Sequence, residues 1–159
     1  MAEENPEKNY KPVDHLNKRY NKILDAKEEG QSIIQYCDSL SENDATLMRI
    51  MTWYYKIFDS GYHALYVIGF LNPEYVAVVM KDIFDFGSAV EWEEMMKSAE
   101  EIPTVIEHIA KKPEKEETVE HDKWLDKMND LNDACTDRFI DSDELFYERM
   151  YNFHNKNGQ

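Results

Sequence analysis

Glycine and proline are scarce in this chain of 159 residues, which has five of each. Folds with many tight turns need more glycine, because it adopts positive φ without steric cost, so the composition argues against an all-β protein. The glycines, at positions 30, 61, 69, 87 and 158, complete neither G-x-G-x-x-G nor the phosphate loop G-x-x-x-x-G-K-[ST]. We therefore expect no cofactor.

Catalytic and metal-binding patterns are also missing. No serine lies in G-x-S-x-G, and no histidine completes H-E-x-x-H or the E-x-x-H pair of di-iron bundles. The group Glu117, Glu120, His121 and Asp122 is typical of a solvated charged loop rather than of a metal site. Cys37 lies on an apolar helical face, where a thiol usually acts as a small core residue. We expect no catalytic residue and no metal, with an enzyme that uses Cys37 or a carboxylate pair as an alternative.

Cysteines and long apolar runs are equally few. The chain has two cysteines, Cys37 and Cys135, whereas a small disulfide-dependent secreted domain would usually carry more. Its longest apolar runs, near residues 64–70 and 75–80, are far shorter than the roughly 20 residues of a membrane-spanning helix. The first residues lack the apolar segment of a secretory signal. We expect a soluble cytoplasmic protein with reduced thiols and no membrane partner.

Apolar residues recur at helical spacing along most of the chain. The clearest run follows Ser41, a strong N-cap, and comprises Leu47, Ile50, Met51, Tyr54, Ile57 and Phe58. We expect helices to end at Gly61 and Gly87 and to begin at Ser88 and Pro103. The pattern predicts an all-α fold of about six to nine helices in a single compact domain at 12–159. We also expect a flexible arm at 1–11 before this domain and a charged loop at about 111–120.

Acidic residues exceed basic residues by 33 to 18, which gives a net charge of −15. This charge would repel a phosphate polymer, so we expect no direct binding of nucleic acid. Residues 91–148 alone hold 19 acidic and 7 basic side chains. Within them, five aspartates recur at steps of four, four, three and four, which places them on one helix face about 6 Å apart. This acidic stripe comprises Asp122, Asp126, Asp130, Asp133 and Asp137.

An acidic helix face has two interpretations. The ordinary one is a solvated face that keeps the protein soluble. The more specific one is that carboxylates fixed at this pitch imitate DNA phosphates and attract the basic groove of a nucleic-acid-binding protein. Four further carboxylates in the same acid-rich part of the chain are added to the predicted partner-binding face: Glu91, Glu94, Glu144 and Glu148.

Aromatic residues are concentrated in one part of the chain. They comprise Trp53, Tyr54, Tyr55, Phe58, Tyr62 and Tyr66. Aromatic residues at helical spacing are most often core residues whose tyrosine hydroxyls reach the surface. A partner-binding aromatic groove is the less favoured interpretation.

Two segments resemble the DMP19-like family of DNA-mimic proteins. The first is Leu40-Ser41-Glu42-Asn43 with the helix at 51–58 and the turn Asp59-Ser60-Gly61-Tyr62, where the family pattern prefers Asn-Gly in place of Asp59-Ser60. The second is Asp143-Glu144-Leu145-Phe146-Tyr147 with Tyr151 and His154. The resemblance covers roughly residues 16–154.

The resemblance implies an all-helical, non-enzymatic protein whose surface carboxylates imitate DNA and displace it from a basic DNA-binding protein, such as a transcription regulator or a nucleoid protein. It transfers no individual functional residue, because mimicry uses dispersed charge. An immunity or anti-defence protein that inhibits a toxin or nuclease is the alternative. The oligomeric state stays open.

Overall fold

The computed structural model describes residues 12–157, and within this range the chain forms eight helices and no strand. The helices are α1 (Pro12–Asp25), α2 (Ile33–Asp38), α3 (Glu42–Ser60), α4 (Tyr62–Val67), α5 (Val76–Ala89), α6 (Glu93–Ala110), α7 (Val119–Asp137) and α8 (Asp143–Asn157). They pack into a compact all-α domain, as the apolar periodicity predicts.

Helix α3 is the central element of the bundle. It packs against α1, α2, α4, α5, α7 and α8, while α6 packs on α5 and α7. Its start is the predicted one, because the backbone N–H of Asp44 donates to Oγ of Ser41 at 3.3 Å. Along its apolar face, Leu47, Ile50, Met51, Tyr54 and Ile57 are buried. Phe58 departs from the predicted core face, since 44 % of it is exposed beside two surface grooves.

Three predicted helix boundaries are wrong. Gly87 and Ser88 lie inside α5, which continues to Ala89. A Cβ on Gly87 would lie 3.0 Å from Met95, so the glycine allows close packing of α5 on α6 rather than ending a helix. Pro103 lies inside α6, where its fixed φ suits the helix although it donates no backbone hydrogen bond. The tertiary packing of α6 outweighs that cost, which is about 3 kcal/mol.

The charged loop is slightly shorter than predicted. It spans residues 111–118, and Oγ1 of Thr118 caps α7 by accepting the backbone N–H of His121 at 3.0 Å. The predicted arm at 1–11 lies outside the described residues. None of the described helices combines the length and the apolar character needed to cross a bilayer.

Candidate partner-binding surface

Helix α7 carries the acidic stripe on the side that faces away from the core. All five aspartates of the stripe are exposed, whereas Met128 and Cys135 are buried and Trp124 and Leu131 are half-buried. At 100° per residue the aspartates occupy an arc of roughly 80°, centred about opposite the buried residues. The helix therefore presents the stripe to solvent along its whole length.

No base within the described part of the chain neutralises the stripe. Each ion pair found between described residues joins other carboxylates, and the exposed Lys123 and Lys127 lie more than 4.0 Å from the stripe's oxygens. Five charges over about 22 Å of helix correspond to about one per 5 Å. A single DNA strand carries one charge per roughly 3.4 Å, so the stripe approaches but does not reach that density.

The first turns of α7 are fixed to the end of α6 by a reciprocal contact. Nε1 of Trp124 donates to the carbonyl oxygen of His108 at 2.7 Å, and Nε2 of His108 lies 2.8 Å from the carbonyl oxygen of Trp124. The two rings are stacked with their centroids 5.1 Å apart. Two hydrogen bonds and a stacked pair hold this end of the stripe in place.

The middle of α7 lies against the corner between α3 and α4. Gly61 turns the chain at φ +60° and ψ −138°, and a Cβ built on it would lie 2.7 Å from Cβ of Asn132. The backbone N–H of His63 donates to Oδ1 of Asn132 at 3.4 Å. The absence of a side chain at Gly61 therefore permits α7 to approach this corner so closely.

The end of α7 is held by an ion pair with α6. Arg138, which follows the helix directly, donates to both carboxylate oxygens of Glu101 at 3.0 and 2.9 Å and to Oγ of Ser98 at 3.1 Å. Tyr62 donates to Oε1 of Glu101 at 2.7 Å. Burial acts to raise the pKa of Glu101, but the hydrogen bonds from Arg138 and Tyr62 outweigh it and hold that pKa below its ordinary value. Arg138 thus neutralises Glu101 and leaves the stripe uncompensated.

The last helix contributes to an adjoining pocket that we call the aromatic groove. This groove has a volume of about 560 Å³ between α3 and the start of α8. It is lined by Tyr54, Tyr55, Phe58, Phe139, Ile140 and Tyr147 together with Asp141, Asp143 and Glu144. Phe58 also lines a second groove that contains Asp133 of the stripe. Phe58 is therefore shared by the groove that contains Glu144 and the groove that contains Asp133.

Three predicted partner-binding residues, Glu91, Glu94 and Glu148, line neither of these two grooves. Glu148 is exposed on α8, one turn beyond Glu144, and lines neither groove. Glu91 and Glu94 lie at the start of α6, where Trp92 packs on Phe139 with ring centroids 5.6 Å apart. Among the described residues, no hydrogen bond joins these three carboxylates to the stripe, and none of the three lines the aromatic groove or the groove of Asp133.

The aromatic groove contains residues that helical spacing predicted to lie in the core. Trp53, Tyr54 and Tyr62 are buried as expected, but Phe58 and Tyr66 are 44 % and 48 % exposed. The one indication of the groove in the sequence is Tyr55, which lies one position away from the apolar face of α3. Its partner Tyr147 comes from α8, so only the tertiary structure forms the groove.

The two thiols lack the setting of a nucleophile. Cys37 and Cys135 are free and fully buried, and burial is the main cause that raises the pKa of each to about 11. Both are therefore protonated at neutral pH. Across residues 12–157, no three histidine, cysteine, aspartate or glutamate side chains are grouped so that they could hold a metal ion.

Fold and surface together define a class: an acidic, all-helical protein with an uncompensated carboxylate face on an anchored helix. Comparison with family models, with curated proteins and with solved structures returns no match for this chain. The resemblance to the DMP19-like family therefore stays a prediction.

Proposed function

We propose that this protein is a non-enzymatic DNA mimic that occupies the DNA-binding cleft of a basic protein, a transcription regulator or nucleoid protein, with α7. The observation that supports this proposal is the acidic stripe: five exposed carboxylates, none of them in an ion pair with another described residue, on a helix fixed at its start, middle and end. Rigidity of the helix supports mimicry because a row of charges on a pre-ordered backbone loses little backbone entropy on binding.

The stripe also weakens its own helix, which supports a role beyond solubility. Four neighbouring aspartate pairs along α7 repel one another, and each costs about 0.2–0.5 kcal/mol. Charges distributed over the surface would give the same solubility without this cost. Binding through exposed charges weakens as salt rises, because the Debye length falls to about 10 Å at 0.1 M.

The test begins with a partner isolated at low salt and asks whether duplex DNA competes with this protein for it. We expect the triple variant Asp126→Asn, Asp130→Asn, Asp133→Asn to compete with duplex DNA for the partner at least about tenfold less strongly, because it loses two or three charge-assisted contacts. The variant should be at least as stable as the wild type, since its repulsive pairs are gone.

The matched control changes the same number of charges elsewhere. Glu28, Glu29 and Glu74 are exposed and lie outside the stripe, and their replacement by Gln changes the net charge by the same amount. Equal loss in both triple variants would show that total charge, not the stripe, drives binding, and the proposal would fail. A toxin or nuclease as the partner would favour the immunity function instead.

A further inference from the structure

The aromatic groove combines apolar walls with uncompensated negative charge. Of its nine lining residues, three are carboxylates and none is Lys, Arg or His. Asp141, Asp143 and Glu144 take part in no ion pair within the described residues. The groove thus has a formal charge of −3 beside ring surfaces, which is the chemistry that binds organic cations.

The groove has a buried floor and an open apolar rim. Tyr54 is buried and stacks on Phe146 with ring centroids 3.7 Å apart, which fixes the floor. At the rim, Phe58 is 44 % and Ile140 is 64 % exposed. Large apolar side chains left open beside a pocket are typical of binding surfaces.

The tyrosine hydroxyls of the groove are occupied within the protein. Tyr54 donates to Oδ1 of Asp143 at 2.6 Å, and Tyr147 donates to the hydroxyl of Tyr55 at 3.0 Å, which in turn donates to Asn17. Burial is the first cause of the raised pKa of all three tyrosines, so they stay neutral at physiological pH. The groups that remain for recognition are the rings of Tyr55, Phe58 and Tyr147 and the carboxylate oxygens of Asp141 and Glu144.

We propose that the aromatic groove binds the side chain of one arginine of a protein partner. A guanidinium is planar and weakly hydrated, so it can lie on an aromatic ring while its N–H groups donate to carboxylates, which a compact ammonium does less well. The N-terminal end of α8 carries a partial charge of about +0.5, which would repel a cation. The negative charge of the three carboxylates is larger than this partial charge. The partner is a protein because the rim offers apolar contact in addition to charge.

This inference deepens the proposed function, since the arginine would belong to the same basic partner. Phe58 lines both the aromatic groove and the groove of Asp133, so an arginine bound here would bring neighbouring basic side chains toward the end of the stripe. The aromatic groove would fix the register of the partner, and the stripe would supply long-range attraction.

The experiment titrates N-acetyl-arginine amide into the full chain and follows the tyrosine and phenylalanine ring resonances by NMR. Saturable shifts confined to Tyr55, Phe58 and Tyr147 would support the proposal. The citrulline analogue has the same shape without the charge, and its affinity should be lower by roughly fivefold or more. Equal binding of the citrulline or the lysine analogue would overturn the assignment to a guanidinium, as would shifts spread over all acidic surfaces.

Variants of the rim locate the binding. Asp141→Asn keeps a residue that tolerates the φ of +57° found there, and Glu144→Gln keeps the shape of an exposed side chain. The double variant should weaken arginine binding roughly fivefold or more, whereas the control Glu29→Gln, Glu74→Gln should not. Equal effects would overturn the proposal.

The two proposals can fail separately. Arginine binding in the groove without DNA competition would overturn the mimic and leave the groove as a docking site. DNA competition without arginine binding would leave the stripe as the binding surface and overturn the groove.

Discussion

Replacement of Gly61 by alanine should displace the helix that carries the acidic stripe. At φ +60° and ψ −138°, a non-glycine residue is strained by about 1–3 kcal/mol. The new Cβ would also lie 2.7 to 2.8 Å from Cβ, Cα and Oδ1 of Asn132, where carbon atoms normally keep about 3.5–4.0 Å. Overpacking of this kind costs about 1–3 kcal/mol. Together the two effects should reduce the free energy of unfolding by about 2–6 kcal/mol.

The matched variant is Gly30→Ala, because Gly30 also has a positive φ, +85°, but its Cβ would meet nothing within 4 Å. It should show only the backbone strain, so Gly61→Ala should be more destabilising by about 1–3 kcal/mol. Thermal unfolding would then differ by several degrees, at about 2–4 °C per kcal/mol for a chain of this size. Equal unfolding midpoints for the two variants would refute the close approach of α7 to Gly61.

Three further outcomes follow from the buried polar and titratable groups. Ellman's reagent at pH 8 should label neither Cys37 nor Cys135 until denaturant is added, and rapid labelling of native Cys37 would favour the alternative of an enzyme that uses this thiol. Because its folded pKa is lowered, Glu101 stabilises the fold above its unfolded pKa of about 4.3 and loses this contribution on acidification, so urea titrations should show a smaller acid-induced loss of stability in Glu101→Gln. Burial lowers the pKa of His154, so its neutral form favours the fold above about pH 6.5; His154→Gln should flatten the decline of stability below that pH, and an unchanged profile would contradict this.

Much of the helical architecture follows from local patterns in the sequence. The spacing of Leu47, Ile50 and Met51, with Ser41 before them, predicted α3 correctly, because helix periodicity and N-capping depend on residues within one or two turns. Gly61 ended the helix as predicted.

The predictions for Gly87 and Pro103 failed for a single reason. Both residues are local helix-weakening signals, but each lies in a helix that is stabilised by the packing of α5 on α6. The gain from that contact lies between segments and is invisible to a local pattern.

Sequence patterns alone were enough to predict the all-helical fold class, the excess of acid and the five aspartates on one face of α7, since each of these depends on composition or on spacing along one helix, whereas the ends of α5 and the start of α6 were not predictable in this way. Which charges stay unpaired and which aromatic rings stay exposed depends instead on how the helices pack against one another. Arg138 pairs with Glu101 rather than with the stripe, and Phe58 lies between two grooves rather than in the core, because helices distant in sequence meet there. Such meetings depend on side-chain packing between elements, which no periodicity along one helix encodes.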